Sequence, residues 1–96
     1  MARKLTVLRL LAQHEKGLYG SEMVVLADGK LNRGTVYLML EQMIGEGLVR
    51  EVRETHSVTF QLIRTRHFIT AQGMQVYRSF LSEHQEMAQL LLARND

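Results

Sequence analysis

The spacing of apolar residues over the first thirty positions predicts two helices. Residues 3–14 place apolar side chains on one helical face, at Leu5, Leu8, Leu11 and Ala12. Ser21 is a suitable N-cap for a short second helix ending at position 26 or 27, since its hydroxyl can accept a hydrogen bond from a first-turn amide. Between the two helices, residues 18–20 are expected to be a short extended connector, and Asp28-Gly29 predicts a turn.

A third helix is predicted within the segment LNRGTVYLMLEQMIGEGLV, residues 31–49. Its apolar stripe consists of Val36, Leu40, Met43 and Ile44. Asn32 can cap the start of this helix, and Gly47 lies where helices commonly end in a left-handed residue. Gly34 falls in the first turn, where the missing side chain lets another backbone approach.

Two strands are predicted after the third helix. Residues 48–54 mix apolar and charged positions, which is typical of an exposed strand, and residues 55–57 predict a turn. A second, half-buried strand has its inward face at period two, at Val58, Phe60 and Leu62. We expect residues 64–66 to interrupt this strand before residues 67–69 complete it.

The last predicted helix covers residues 71–93, with Thr70 as its cap. Its apolar stripe advances by three and four positions along Met74, Tyr77, Leu81, His84, Ala88 and Leu91. A small three-helix core covers only part of so wide a stripe, so a second copy of the helix is the expected partner. These six residues are therefore the predicted homodimer interface.

Three short helices, two strands and a long helix form the element order of a winged helix-turn-helix. The predicted fold class is α+β, mainly helical. Residues 1–70 form the winged helix-turn-helix domain and residues 71–96 the C-terminal dimerisation helix, joined in one compact unit. In this fold the third helix enters the DNA major groove, and the β-hairpin, called the wing, reaches the backbone or minor groove.

Composition and charge narrow the function classes. The 96 residues suit one small domain, and the lack of cysteine excludes disulfides and cysteine-based metal sites. Residues 1–70 carry ten Lys/Arg and seven Asp/Glu, a net charge of +3, whereas residues 71–96 carry −1. This mild excess on the predicted DNA-binding domain is weak evidence for nucleic acid. The chain starts without a signal-peptide pattern and has no apolar stretch of about 20 residues, so a cytoplasmic location without a membrane partner is expected.

Several short motifs together resemble the PadR-like transcriptional regulators, over about residues 5 to 73. The matching positions are Leu18-Tyr19-Gly20-Ser21-Glu22-Met23, Leu31-Asn32-Arg33-Gly34-Thr35-Val36-Tyr37, Leu40, Met43, Glu46-Gly47-Leu48-Val49, Arg64 and Ile69-Thr70-x-x-Gly73. Three positions depart from the family pattern: Leu38 stands where a proline is frequent, and Arg66-His67 stand where two aromatic residues are frequent. The resemblance is to the short, single winged-helix form of the family.

The resemblance implies a dimeric DNA-binding repressor, with Tyr19 and Tyr37 on phosphates, the start of the third helix on bases and Arg64 in the wing. Some members of the family bind flat aromatic drugs at the dimer interface through tryptophan. This chain has no tryptophan, so a small-molecule effector is compatible with the family but not indicated here.

The candidate DNA-binding residues combine this resemblance with the chemistry of the side chains. They are Tyr19, Ser21, Asn32, Arg33, Gly34, Thr35, Tyr37, Leu38, Gln42, Arg64 and Arg66. Arg33 can pair with a guanine edge and Gln42 with an adenine edge, while Leu38 could touch a thymine methyl group or pack on the wing. The ring of Tyr37 is expected in the core, with or without a phosphate contact from its hydroxyl. For the wing arginines the alternative is ion pairing across the hairpin with Glu51 or Glu54.

Catalysis is not expected. The sequence contains no phosphate-cradling loop, nucleophile constellation or metal-ligand set, and none of the histidines, His14, His56, His67 and His84, lie four positions apart. We therefore expect no enzyme, cofactor or metal site. Two rivals to a transcriptional repressor stay open: a DNA-binding protein of plasmid partition or replication control, and a protein–protein adaptor that has lost DNA binding.

Overall fold

The structure, a computed structural model, describes residues 2–55 and 63–94, with side chains for 3–55 and 63–85. In chain order the elements are α1 (Ala2–Gln13), β1 (Leu18–Tyr19), α2 (Gly20–Leu26), α3 (Arg33–Gly45), β2 (Val49–Thr55), β3 (Ile63–Ile69) and α4 (Ala71–Arg94). The predicted α+β, mainly helical fold class is confirmed, and the element order is that of a winged helix-turn-helix. Within the described residues, no helix combines the length and apolarity that crossing a membrane requires.

The third helix follows its predicted pattern closely. Val36, Leu40 and Met43 are buried along its inner side. At its start the side chain of Asn32 accepts a hydrogen bond from the Thr35 amide at 2.8 Å, which confirms the predicted N-cap. After its end, Gly47 has a φ of +79°, the left-handed conformation that the sequence indicated.

One apolar core joins the first three helices to the sheet. Its buried members are Val7, Leu8, Leu10, Leu11, Leu18, Met23, Ala27, Leu31, Val36, Leu40, Met43, Leu48 and Val49. Tyr77 of α4 packs against this core from outside. The core therefore fixes α3 to the scaffold through its inner side and leaves the opposite side of that helix outward.

The sheet has three strands, one more than predicted. Residues 18–19, expected as a connector, form the edge strand β1, so the strand order is β1-β3-β2 with antiparallel pairing throughout. Leu18 lies opposite His67, and Tyr19 lies opposite Arg66. This pairing joins the segment before α2 to the wing across almost fifty residues of sequence, which no local pattern can indicate.

Two predictions about the wing need correction. Residues 64–66 do not interrupt the second strand, because β3 runs unbroken from Ile63 to Ile69 and pairs with β2 at every position. Thr55, predicted in a turn, is the last residue of β2 and lies opposite Ile63. Two other predicted features lie outside the described residues. They are the rest of the turn, His56 and Ser57, and the inward face of the strand, Val58, Phe60 and Leu62.

The start of the second helix also differs from the prediction. Ser21 is not its N-cap, because α2 already begins at Gly20 and Tyr19 occupies the cap position. The Glu22 carboxylate accepts a hydrogen bond from the Tyr19 amide at 2.8 Å and so satisfies the end of the helix. The Ser21 side chain is consequently available for other contacts.

A compact joint connects α3, β2 and α4. The Thr70 hydroxyl accepts a hydrogen bond from the Gly73 amide at 2.9 Å, which confirms its predicted role as the cap of α4. The same hydroxyl donates to the Gly47 carbonyl at 2.7 Å, and the Thr70 amide donates to the Leu48 carbonyl at 3.0 Å. Gly73 lies so close to Leu48 that an added Cβ would overlap its carbonyl oxygen.

Candidate nucleic-acid interface

An open concavity of about 330 Å³ lies where α2, α3 and the wing meet. Its lining residues are Tyr19, Gly20, Ser21, Arg33, Tyr37, Ile63, Arg64 and Thr65. Five of the eleven candidate DNA-binding residues are among them: Tyr19, Ser21, Arg33, Tyr37 and Arg64. The fold thus brings together residues from three separate segments of the sequence, 19–21, 33–37 and 63–65.

The outer side of α3 continues from this concavity. Arg33, Gly34, Leu38 and Gln42 are exposed there, and Leu38 remains 53% exposed despite its apolar side chain. Around Gly34 the space is open: an added Cβ would meet only the Asn32 side chain, at 3.6 Å. This side of the helix is therefore accessible to a partner along its length.

Tyr37 is less buried than its expected core position required. Its side chain is 45% exposed, and its ring lies across the start of α2, where a Cβ added at Gly20 would be 2.6 Å from the ring carbon Cζ. The prediction of a core ring is therefore wrong: Tyr37 packs on a glycine surface at the rim of the concavity. Gly20 is a residue that sequence reasoning missed, since its function depends on a contact with another helix.

Arg64 extends over Tyr19 at the wing side of the concavity. Its guanidinium carbon is 3.9 Å from the centre of the Tyr19 ring, a cation–π geometry. One of its terminal nitrogens, Nη2, is 3.4 Å from the Ser21 hydroxyl oxygen. The Arg64 side chain is exposed, so its positive charge faces the solvent at the concavity.

Arg66 is held by a network of the protein's own groups. Its Nε donates to Glu54 Oε1 at 2.6 Å, its Nη2 donates to the Tyr19 hydroxyl at 2.6 Å, and its Nη1 donates to the Gly17 carbonyl at 3.3 Å. The Tyr19 hydroxyl donates in turn to Glu54 Oε2 at 3.0 Å. The hydrogen bond with Glu54 raises the pKa of Arg66 above its ordinary value. For Arg66, the structure has the ion pair that the sequence offered as the alternative to a DNA contact.

Position 19 has a different environment from the one that the sequence suggested. Tyr19 is only 8% exposed, and both wing arginines lie over its ring, Arg66 at 4.2 Å from the ring centre. It is a platform beneath the two cations as well as a candidate for phosphate contact. The cross-strand register, with Tyr19 opposite Arg66, is what creates this arrangement.

The predicted dimer interface is partly described. Leu81 is 45% exposed and His84 is exposed, whereas Met74 and Tyr77 are half-buried against the chain's own domain. The side chains of Ala88 and Leu91 lie outside the described residues. An apolar groove of about 290 Å³ runs between α1 and α4, lined by Lys4, Leu5, Leu8, Glu46, Leu48, Gln72, Val76 and Phe80.

His67 is a buried titratable group of the sheet. It is 4% exposed, its Nδ1 is 3.4 Å from the Leu18 carbonyl oxygen, and its Nε2 is 4.0 Å from Glu51 Oε2. Burial lowers its pKa below the ordinary value. Among the described residues, no group of three or more histidine, cysteine, aspartate or glutamate side chains is arranged to hold a metal ion.

Comparison with known proteins gives likeness at the level of structure. No family model matches the chain, and no curated protein matches its sequence. A mutant of MepR from S. aureus superimposes with a TM-score of 0.82 and 19% identity, over 98% of this chain and 65% of MepR. A PadR family transcription regulator from hypervirulent Clostridium difficile superimposes with a TM-score of 0.78 and 19% identity, over 100% of both chains.

A second MepR mutant, solved bound to an oligodeoxyribonucleotide, has a TM-score of 0.75 and 20% identity, over 95% of this chain and 62% of that one. The chain therefore spans less than two thirds of the length of these MepR proteins. At such identities the likeness shows the fold. The structural resemblance to PadR-like regulators is thereby confirmed, and the chain has the winged-helix fold that these PadR and MepR structures share.

Proposed function

We propose that the protein is a sequence-specific regulator of transcription that binds duplex DNA as a homodimer and acts as a repressor. The observation that carries this proposal is the convergence of Arg33, from the start of α3, and Arg64, from the wing, on one open concavity. Beside it, the outer side of α3 is exposed along its length. A helix start and a cationic wing residue that border the same concavity suit one strand of DNA backbone next to a helix in the major groove.

The positions of the side chains indicate which of them would contact phosphates and which would reach bases. Arg64, the Ser21 hydroxyl and Tyr37 border the concavity and would contact phosphates, which set orientation without reading sequence. Arg33, Thr35, Leu38 and Gln42 would reach base edges, with Arg33 suited to guanine and Gln42 to adenine. Asn32 and Gly34 would shape the helix start so that the DNA backbone can approach closely.

Support for the homodimer comes from α4. This helix has 24 residues, so it is about 36 Å long. Beyond the part that packs on the core it presents Leu81, which is 45% exposed. A second copy covering this helix and the groove beside α1 would remove that apolar surface from water. Two recognition helices related by a twofold axis would then read half-sites about one helical turn apart.

The test is fluorescence anisotropy with the duplex upstream of the protein's own gene and a scrambled duplex, across a salt series. We expect tight binding to the upstream duplex alone, with an affinity that falls steeply as salt rises. Arg33→Ala and Arg64→Ala should each weaken binding about tenfold. Arg78→Ala, at an exposed position on α4, is the matched control and should leave the affinity unchanged.

Other outcomes would support the rivals. Binding to regularly repeated sites with spreading along the DNA would indicate partition or replication control. A protein–protein adaptor would be indicated by two results together: neither duplex binds at low salt, and the Arg33→Ala and Arg64→Ala variants keep the protein's full function in the cell. A reporter gene under the upstream sequence separates repression from activation, since a repressor lowers its expression.

A further inference from the structure

The two wing arginines, two residues apart on β3, have opposite environments. Arg66 directs its guanidinium nitrogens to groups of its own chain: Glu54, the Tyr19 hydroxyl and the Gly17 carbonyl. Arg64 makes one long hydrogen bond, 3.4 Å to Ser21, and its guanidinium carbon lies over the Tyr19 ring, 3.9 Å from the ring centre. One cation is thus engaged within the protein, while the other is oriented but exposed.

The Tyr19 ring beneath Arg64 is held in place by its burial and by the hydrogen bonds of its hydroxyl. The Tyr19 ring is 8% exposed, and its hydroxyl accepts from Arg66 and donates to Glu54. Glu54 binds both partners, with Oε1 on Arg66 and Oε2 on Tyr19. Because the ring cannot swing outward without breaking these bonds, Arg64 lies on a platform of fixed orientation.

We propose that Tyr19, Glu54 and Arg66 are positioning residues that hold Arg64 toward the concavity, so that Arg64 is the wing arginine that contacts the DNA backbone. The inference rests on the proposed DNA-binding function and specifies how the wing performs it. It also assigns Arg66, a candidate DNA contact on sequence grounds, to an internal role.

The physical reason is conformational entropy. A free arginine side chain populates many rotamers, and binding a phosphate selects a few of them at a cost in affinity. Stacking on an immobile ring restricts the guanidinium before DNA arrives, so less is lost on binding. Glu54 neutralises Arg66 and keeps it from competing with Arg64 for the same phosphate.

A double-mutant cycle with Tyr19→Leu and Arg64→Gln tests the coupling. Tyr19→Leu should weaken DNA binding about three- to tenfold in the unmodified chain, the range expected from losing a cation–π platform. In the Arg64→Gln background the same change should cost less than about twofold. An equal loss in both backgrounds would mean that Tyr19 does not act through Arg64, and the proposal would be wrong.

Glu54→Gln gives a test with an opposite sign and leaves Tyr19 in place. Removing a negative charge near DNA should tighten binding through simple electrostatics. Positioning predicts the reverse, about threefold weaker binding, because the amide has one acceptor oxygen where the carboxylate has two, so Arg66 and the Tyr19 hydroxyl no longer each have an oxygen to donate to. Glu51→Gln on the same strand is the matched control and should bind equally or slightly more tightly. Tighter binding by Glu54→Gln would overturn the proposal.

Salt dependence separates the two arginines. The slope of log affinity against log salt counts neutralised phosphates, at about 0.9 per contact. Arg64→Gln should reduce the slope by about that amount, and Arg66→Gln should lower affinity with the slope unchanged. An equal reduction by both would make Arg66 a phosphate contact and overturn the assignment. Thermal unfolding of each variant identifies losses that come from misfolding. If the unmodified protein binds no DNA, the proposed function itself fails, whereas binding without coupling refutes the positioning role alone.

Discussion

Two glycines in the first turns of two helices have opposite surroundings. At Gly73 in α4, an added Cβ would overlap the Leu48 carbonyl oxygen and lie 2.9 Å from Ile69 Cγ1. At Gly34 in α3, it would meet only the Asn32 side chain, at an ordinary van der Waals distance of 3.6 Å. The first glycine is needed for packing within the chain. The second leaves open space on the surface that we assign to DNA.

The comparison teaches that one residue type can have two functions in a small domain. Where α4 meets β2, the backbones approach so closely that the joint between the domain and its long helix admits no side chain. Where α3 faces outward, the chain itself makes no use of the space. An internal role predicts a loss of stability on substitution, and an external role predicts a loss of binding without a loss of stability.

Gly73→Ala should have the largest effect. The Cβ would strike a backbone carbonyl that cannot move without disturbing β2, and overpacking of this kind costs about 3 kcal/mol of the free energy of unfolding. Denaturant unfolding monitored by circular dichroism measures the change. A loss below about 1 kcal/mol would mean that the joint can relax, and the contrast with Gly34 would disappear.

Gly34→Ala is the matched substitution on the open side. The free energy of unfolding should stay within about 0.5 kcal/mol of the parent value, because alanine finds space and favours the helix. DNA affinity should fall about tenfold, since the methyl group occupies the space that the DNA backbone would approach. Unchanged affinity for the upstream duplex, measured by anisotropy, would show that this helix start does not lie against DNA.

The caps of the same two helices sharpen the comparison. The Thr70 side chain makes two hydrogen bonds, to Gly73 and Gly47, whereas the Asn32 side chain makes one exposed bond, to Thr35. Thr70→Ala should therefore cost about 2 kcal/mol and Asn32→Ala about 1 kcal/mol in the free energy of unfolding. The same denaturant titrations measure both, and an equal cost would mean that the second bond of Thr70 adds nothing.

The contrast between enclosed and open positions extends to titration. Burial lowers the pKa of His67 below its ordinary value of 6.5. As pH falls below 6.5, the unfolded chain binds a proton at His67 more readily than the folded chain does. The stability that is present above pH 6.5 is therefore lost on acidification. The melting temperature should fall less between pH 8 and pH 5 in His67→Gln than in the parent. An identical fall in both would exclude His67 as a contributor.

Local patterns accounted for the existence of the helices, for both ends of α3 and for the start of α4. The stripe of α3, its cap at Asn32, the left-handed Gly47 and the cap at Thr70 were each predictable, because they depend on residues within one or two turns. The outward direction of Leu38 was predictable for the same reason, since helical geometry fixes the side opposite Leu40. Helical periodicity thus placed Val36, Leu40 and Met43 in the core and Leu38 on the exposed side of α3, although it did not place Tyr37.

Long-range pairings account for what the sequence could not predict. Tyr19 looked like a connector residue, and only its register opposite Arg66 makes it a strand residue and a platform. Arg64 and Arg66 looked equivalent, since both fell in the predicted interruption of the second strand, and their difference depends on whether Glu54 or Ser21 lies within reach. Ser21 looked like a cap, but Glu22 satisfies that end of the helix from the next position. Each case depends on which of several suitable partners the tertiary fold brings near.

The joint at Thr70 has a mechanical consequence. A single hydroxyl links Gly47, just after α3, to the first turn of α4, so the two helices cannot pivot freely about each other. In a dimer built on α4, each α3 would be held rigidly to the α4 of its own chain. The distance between the two α3 helices would then be set at the dimer interface alone. A ligand or mutation that changed the crossing angle of the two α4 helices would alter the half-site spacing without touching a DNA-contacting residue.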